Sequence, residues 1–119
     1  MANNITVRFA TPDDLDFARQ DGHASAEAVR RKIECREVAV AERSSRPAGY
    51  LRLEYLWTRV PYVSMIQVLP GDRRQGVGRA MLRFVEGFLR DRGHEAIYSS
   101  SMADEPEPQA WHRHMGFEE

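Results

Sequence analysis

Lysine is almost missing from this 119-residue chain: Lys32 stands alone among 17 basic residues, and the others are arginines. A GC-rich genome, which encodes arginine more often than lysine, accounts for that bias without a special anion-binding role for most of them. Cysteine is just as scarce. Cys35 is the only one, which excludes an intrachain disulfide and a zinc site built on cysteine ligands. It reads as a buried small hydrophobe rather than a nucleophile. Long apolar runs are missing too, and nothing approaches the ~20 residues of a membrane span. Met1–Phe9 lacks the basic start and apolar core of a signal peptide, so the expected location is the cytoplasm. A net charge of −1 leaves no footprint for nucleic acid or an anionic membrane. The four histidines are scattered and have no partner at ligand spacing, so no metal site is expected.

What is present is ordinary for a globular domain: 42% hydrophobic and 29% charged residues, in a length that suits one domain over 1–119 with a modest core. Ile5–Phe9 alternates apolar and polar residues and predicts a strand. Thr11 can cap a following helix, with Pro12 at its first position and Asp13 and Asp14 at its positive end. That helix carries Leu15, Phe17 and Ala18 and stops at Gly22. Ser25 caps a second helix with Ala28, Val29, Ile33 and Ala24 on its inner face. Three strands follow. The first is Glu37–Glu42. A polar turn over Arg43–Pro47 leads to Ala48–Trp57, with Leu51, Leu53, Tyr55 and Trp57 on one face. A turn at Thr58–Pro61 leads to Tyr62–Val68, apolar enough to be covered on both faces.

Gly76–Arg92 is the clearest helix: Val77, Met81, Leu82, Val85, Phe88 and Leu89 share one side, and Gly93 ends it. Ala96–Ser100 reads as a strand and Pro106–Met115 as a short helix. The run Ala103–Gln109 is acidic and reads as a solvated loop. Three consecutive strands suit an antiparallel meander, and the strand–helix–strand unit suits a parallel crossover. The expected fold is α/β (α+β): a mixed, mostly antiparallel sheet flanked by helices on both faces.

Chemistry concentrates in Val68–Ala80. A buried strand ends at Pro70, a polar turn follows, and Gly76 and Gly78 flank Val77 where the long helix begins. A helix start leaves several N–H groups without intrahelical partners and carries partial positive charge. Glycine lets an anion approach that backbone closely, and Arg73, Arg74 and Arg79 add fixed charge. Together they predict a pyrophosphate site. It is not a Walker loop, because Arg79 and Ala80 follow Gly78 instead of Lys and Ser/Thr. It is not the dinucleotide fingerprint either, because Met81 stands where the third glycine belongs.

The pattern Val68-x-Pro70, Arg73-x-x-Gly76-x-Gly78 and an amphipathic helix resembles the coenzyme A motif of the GNAT N-acetyltransferase superfamily. Trp111-His112-Arg113-His114-Met115-Gly116-Phe117 resembles the family's Leu-Tyr-x-x-x-Gly-Phe helix end. Val7-Arg8-x-Ala10-Thr11-x-x-Asp14 resembles its opening strand and helix, so the resemblance spans nearly the whole chain.

The resemblance implies acetyl-CoA as co-substrate and a small-molecule or peptide amine as acceptor, which attacks the thioester directly. It implies that backbone amides of Arg73, Arg74, Gln75, Gly76, Val77, Gly78 and Arg79 hold the pyrophosphate. The pantetheine arm would pair with Ile66, Gln67 and Val68, one of whose N–H groups would polarise the thioester carbonyl. An alkyl ammonium of pKa ~10.4 must lose a proton before it attacks. Family members often carry an acid on the strand before the turn, but Tyr62, Ser64, Met65 and Gln67 supply none. Glu54 on the preceding strand is the nearest candidate base; the alternative is that it faces solvent. His112 occupies the position of the family's tyrosine proton donor and could protonate the leaving thiolate; the alternative is a surface histidine beside Trp111. Trp111, Met115 and Phe117 read as core, and His23 and His114 as surface. Trp57, Tyr55 and Tyr50 read as sheet packing, with an acceptor-pocket lining as the other reading.

Two residues follow Phe117, where the family continues with a strand pair of ~20 residues on typical strand and turn lengths. Truncation, a degenerate gene or strands from another chain would each explain this. The open edge it implies favours a homodimer or aggregation. The leading expectation is an acetyl-CoA-dependent N-acetyltransferase. The alternatives are a non-catalytic CoA-binding or regulatory module and a structural pairing domain.

Overall fold

The computed structural model describes residues 4–56, 60–94 and 98–99. Strands β1 (Ile5–Phe9), β2 (Val38–Arg43), β3 (Arg46–Leu56) and β4 (Val60–Val68) are successive antiparallel neighbours. Strand β5 (Tyr98–Ser99) joins β4 in parallel, so one sheet runs β1-β2-β3-β4-β5. Helices α1 (Leu15–Ala18) and α2 (Ala26–Glu34) lie between β1 and β2, and α3 (Val77–Asp91) lies between β4 and β5. The expected mixed, mostly antiparallel sheet with helices on both faces is the fold observed.

Strand alternation builds two cores. Ala39, Ala41, Leu51 and Leu53 turn to one face and meet Val77, Met81, Leu82, Val85 and Leu89 of α3. Val38, Val40 and Tyr50 turn to the other and meet Ala18 of α1 and Val29 and Ile33 of α2. Each fully buried aliphatic side chain contributes ~1.5–3 kcal/mol. Phe9 packs edge-on against Phe84 and Phe88 at 4.9 and 4.8 Å and ties α3 across to β1. Ser25 caps α2 as expected, its Oγ accepting from the Ala28 N–H at 3.1 Å.

Several local expectations are corrected. The helix after Thr11 divides into a 3-10 turn (Pro12–Asp14) and a single turn, α1. Asp14 organises that corner: its carboxylate accepts from the Thr11 N–H at 2.7 Å and from Arg8 at 2.7 Å. The Arg8 hydrogen bond is the main cause that holds its pKa below the usual carboxylate range. Ala28 is exposed, because it sits one helical step off the Val29–Ile33 stripe. Cys35 is also exposed; it is the C-cap residue of α2, past the last buried position, Ile33.

The β2–β3 connection is tighter than the residue types suggest. Only Ser44 and Ser45 separate the strands, both at positive φ (54° and 66°). That matches a two-residue hairpin whose twist suits the strands, although no glycine marks it. Strand β4 begins at Val60, so Pro61 lies inside it, opposite Tyr55. Of β4 only Pro61 and Val63 are buried; Met65 packs on the α1–α2 core and Ile66 and Val68 on the α3 core, so the strand is covered in part on both faces. No described helix is long and apolar enough to cross a membrane. The expected helix over 106–115, the motif Trp111–Phe117 and the acidic run lie outside the described residues.

Candidate active site

The β3–β4 ladder carries one irregularity. Arg52 pairs with Met65 and Leu53 with Val63, so Ser64 is the extra residue of a bulge. A bulge bends its strand and increases its twist. Among the described residues, β5 pairs with β4 only at Tyr62 and Val63, on the near side of that bulge. Beyond it the outer edge of β4 has no described strand beside it.

The polarity of that edge follows from one bond. The Leu69 N–H donates to the Ala48 carbonyl at 2.8 Å, toward β3. Strand period two then turns the backbone groups of Gln67 and Met65 toward β3 as well, and those of Ile66 and Val68 toward the open edge. The backbone groups of Ile66 and Val68 therefore face away from β3, whereas Gln67 spends its own on the sheet. Arg73 supports this assignment: its Nε donates to the Val68 carbonyl at 3.1 Å, outside the ladder.

The chain leaves β4 through a 3-10 turn (Pro70–Asp72) that Arg43 pins to the end of β2 by a 2.7 Å contact with Asp72. Arg74 (φ 63°) and Gly76 (φ 91°) both take left-handed conformations, which reverses the chain sharply into α3. Gly76 is the N-cap and has no side-chain oxygen with which to satisfy the first-turn N–H groups. The positive end of α3 thus stands next to the open edge of β4. Arg73 and Arg74 are exposed beside it, Gly78 lies in its first turn, and Arg79 is exposed one residue further. Val77 is buried and seats this end in the core.

Gly49 was not singled out by the sequence, yet it fixes the height of this seat. A Cβ there would lie 2.7 Å from the Gln67 carbonyl oxygen, 3.1 Å from Met81 and 3.2 Å from Val77. The close approach of α3 to β3 and β4 therefore requires glycine. Gly49→Ala is expected to destabilise the fold by about 1–3 kcal/mol, the usual cost of overpacking, measured by chemical denaturation. It should also weaken ligand binding, because the Val77 turn would be lifted off β4.

Glu54 is the one carboxylate carried by β3 or β4. It is 41% exposed and its carboxylate lies 2.7 Å from Lys32 Nζ. Lys32, 15% exposed, also donates to the Leu53 carbonyl at 2.7 Å and to Glu37 at 3.3 Å. The sole lysine thus occupies the candidate base. His112 lies outside the described residues. Tyr50 is fully buried and Tyr55 packs on the α3 core, so both serve the sheet. His23 is exposed, as expected. Among the described residues no group of His, Cys, Asp and Glu is placed to hold a metal ion.

Sequence reading also missed a buried polar lock on the α1–α2 face. Arg52 donates Nη1 to Asp21 Oδ1 at 2.6 Å and Nη2 to Oδ2 at 3.0 Å, and Nη1 also reaches the Ala18 carbonyl at 2.8 Å. The side chains of the pair are 5% and 4% exposed. The Tyr50 hydroxyl donates to Asp21 Oδ1 at 2.7 Å and accepts the Asp21 N–H at 3.1 Å. The Arg52 hydrogen bond holds Asp21 far below the usual carboxylate range. Burial, reinforced by Asp21, pushes the Tyr50 phenol well above its usual value. No local signal marks the lock: Arg52 alternates with Leu51 and Leu53, as a solvent-facing residue of a strand would.

The fold is shared with solved acetyltransferases. Aminoglycoside N-acetyltransferase AAC(6')-Iy in complex with CoA superposes with a TM-score of 0.81 at 18% identity, over 100% of this chain and 91% of that one. Ard1 from Thermoplasma volcanium gives 0.81 at 15% identity, over 95% and 82%. The PaiA N-acetyltransferase from Thermoplasma acidophilum in complex with coenzyme A gives 0.80 at 12% identity, over 96% and 89%. At such identities the likeness establishes the fold alone. A comparison with curated proteins gives no match. The family model described as Acetyltransferase (GNAT) family matches residues 7–117, and the chain belongs to that family. It is an acetyltransferase by that membership, and the family's co-substrate is acetyl-CoA.

Proposed function

We propose that this chain moves the acetyl group of acetyl-CoA to a primary amine by direct attack of the amine on the thioester. The observation that carries the reading is the placement of a glycine-capped helix start beside the outward edge of β4. The co-substrate supplies an activated acetyl group with a thiolate leaving group. Backbone amides from Arg73 to Arg79 would bind its pyrophosphate, aided by the positive end of α3. The outward groups of Ile66 and Val68 would pair with its pantetheine arm as a further strand does. One of those N–H groups would stabilise the charge that develops on the carbonyl oxygen. Gln67 would contribute by setting the register of β4 on β3.

Glu54 is proposed as the group that takes the proton from the incoming ammonium. It would have to exchange Lys32 for the substrate cation, an exchange of like for like. His112 is proposed as the donor to the leaving thiolate. A transfer from an imidazolium of pKa ~6.5 to a thiolate of pKa ~8.5 is downhill. His112→Phe should therefore lower kcat about 100-fold, the low end for a general acid, with acetyl-CoA affinity unchanged. Equal kcat for both proteins would remove the assignment.

The deciding test is a calorimetric titration with acetyl-CoA, followed by a thiol-release assay over a panel of small and peptide amines. Saturable binding together with amine-dependent release of CoA is the expected result. Binding with no release for any amine would leave a CoA-binding module. Absence of binding would leave only the fold.

A further inference from the structure

Arg52 is the only charged residue in the buried class among the described residues. Its two ends serve different elements. The guanidinium grips Asp21 and the Ala18 carbonyl, and so pins the loop over residues 19–25 to the sheet. Asp21 in turn accepts the His23 N–H at 3.0 Å, which fixes the loop beyond Gly22. The main-chain carbonyl of Arg52 faces the other way along the sheet and accepts from Ser64 Oγ at 3.2 Å. Ser64 is the bulge residue itself, and the register shifts between Arg52 and Leu53. A single residue of β3 thus holds the α1–α2 loop by its side chain and the bulge of β4 by its backbone.

The consequence is directional. If the loop detaches, Arg52 loses its buried partner and must rotate or hydrate, because a guanidinium cannot stay buried and unpaired. Movement of that side chain acts on the backbone of Arg52, which is where the bulge is anchored. The bulge sets the angle at which the Ile66 and Val68 edge leaves the sheet. Tyr50 strengthens the link, since its ring lies 5.8 Å from the Arg52 guanidinium and its hydroxyl shares Asp21.

We propose that Arg52 is a positioning residue that couples the 19–25 loop to the bulged edge of β4. Its effect on catalysis rests on the proposed placement of the thioester along β4; the coupling itself does not. Loosening either end should misplace the edge amides while leaving the start of α3 intact. The signature is therefore a fall in kcat of at least about tenfold, as small misplacements of a reacting group produce, clearly larger than the loss of acetyl-CoA affinity, because the edge amides move while the phosphate cradle is untouched.

The experiment uses hydrogen–deuterium exchange on the full chain with three variants. Asp21→Asn weakens the lock, Tyr50→Phe removes one donor to it without uncovering a charge, and Ser64→Ala cuts only the link to the bulge. Coupling requires that Asp21→Asn or Tyr50→Phe speeds exchange at residues 64–68 as well as in the loop. It also requires that Ser64→Ala speeds exchange in the loop as well as in β4. Each variant loosening only its own segment would overturn the proposal, and so would equal proportional losses of kcat and acetyl-CoA affinity. Should the unmodified chain release no CoA with any amine, the proposed activity fails while the exchange pattern still decides the coupling.

Discussion

Gly78→Glu is expected to abolish coenzyme A binding while raising thermal stability. The two effects have opposite signs for separate reasons. Gly78 is the second residue of α3. Glycine inside a helix costs about 0.5–1 kcal/mol relative to alanine, and a carboxylate in the first turn gains ~0.3–1 kcal/mol from the helix dipole. The folded chain should therefore welcome the substitution. The proposed ligand should not. A glutamate there places a negative charge where the pyrophosphate is to sit and turns the positive end of α3 toward its own side chain. Loss of the amide contacts with added repulsion should weaken acetyl-CoA at least ~100-fold, about 3 kcal/mol. Calorimetric titration reads the affinity and a melting curve reads the stability. A variant that melts higher and still binds as tightly would show that the phosphates rest elsewhere.

Much of this arrangement was legible in the sequence because it depends on local signals. The long apolar stripe from Val77 to Leu89 defined α3, and the alternation in Leu51, Leu53 and Tyr55 defined the inner face of β3. Ser25 announced its cap. Gly76 and Gly78 marked the sharp entry to α3, and Gly76 does take the left-handed conformation. The illegible parts depend on contacts between distant segments. The need for glycine at position 49 arises from a helix nearly thirty residues later in the chain. The bulge at Ser64 is a register shift, which no single strand reveals. Lys32 reaches Glu54 across the α2–β3 interface, so the candidate base looked solvent-facing in sequence and proves to be ion-paired. Arg52 and Asp21 are thirty-one residues apart, and nothing local to Asp21 marks it as a buried partner. Cys35 shows the reverse error: a general tendency toward burial yielded to its place at the C-cap of α2.

Asp21→Ala is expected to cost about 3–5 kcal/mol, because it strands the Arg52 guanidinium in the sheet without its carboxylate. A domain of ordinary stability has only ~5–15 kcal/mol in total. At roughly 4 °C per kcal/mol for a domain of this size, the melting temperature should fall by about 12–20 °C. The pair is not a net source of stability in itself, however. Removing both charges at once with Asp21→Leu and Arg52→Met should recover most of the loss, since a well-packed apolar pair often replaces a buried ion pair at little cost. The pH dependence follows from the same geometry. Asp21 is held below its unfolded value of ~3.9, so its stabilisation is complete above about pH 4 and fades as pH falls toward its folded value. Tyr50 behaves oppositely. Its phenol is raised above the unfolded value of ~10, so its contribution is complete below about pH 10 and is lost as pH rises further. The unmodified chain should therefore show a plateau between those limits, with an acid limb that Asp21→Ala flattens and an alkaline limb that Tyr50→Phe flattens. Denaturant midpoints collected from pH 2 to 11 would test both limbs. Retention of the full acid limb in Asp21→Ala would mean that other carboxylates, Asp14 beside Arg8 first among them, carry the acid sensitivity and that the lock contributes little.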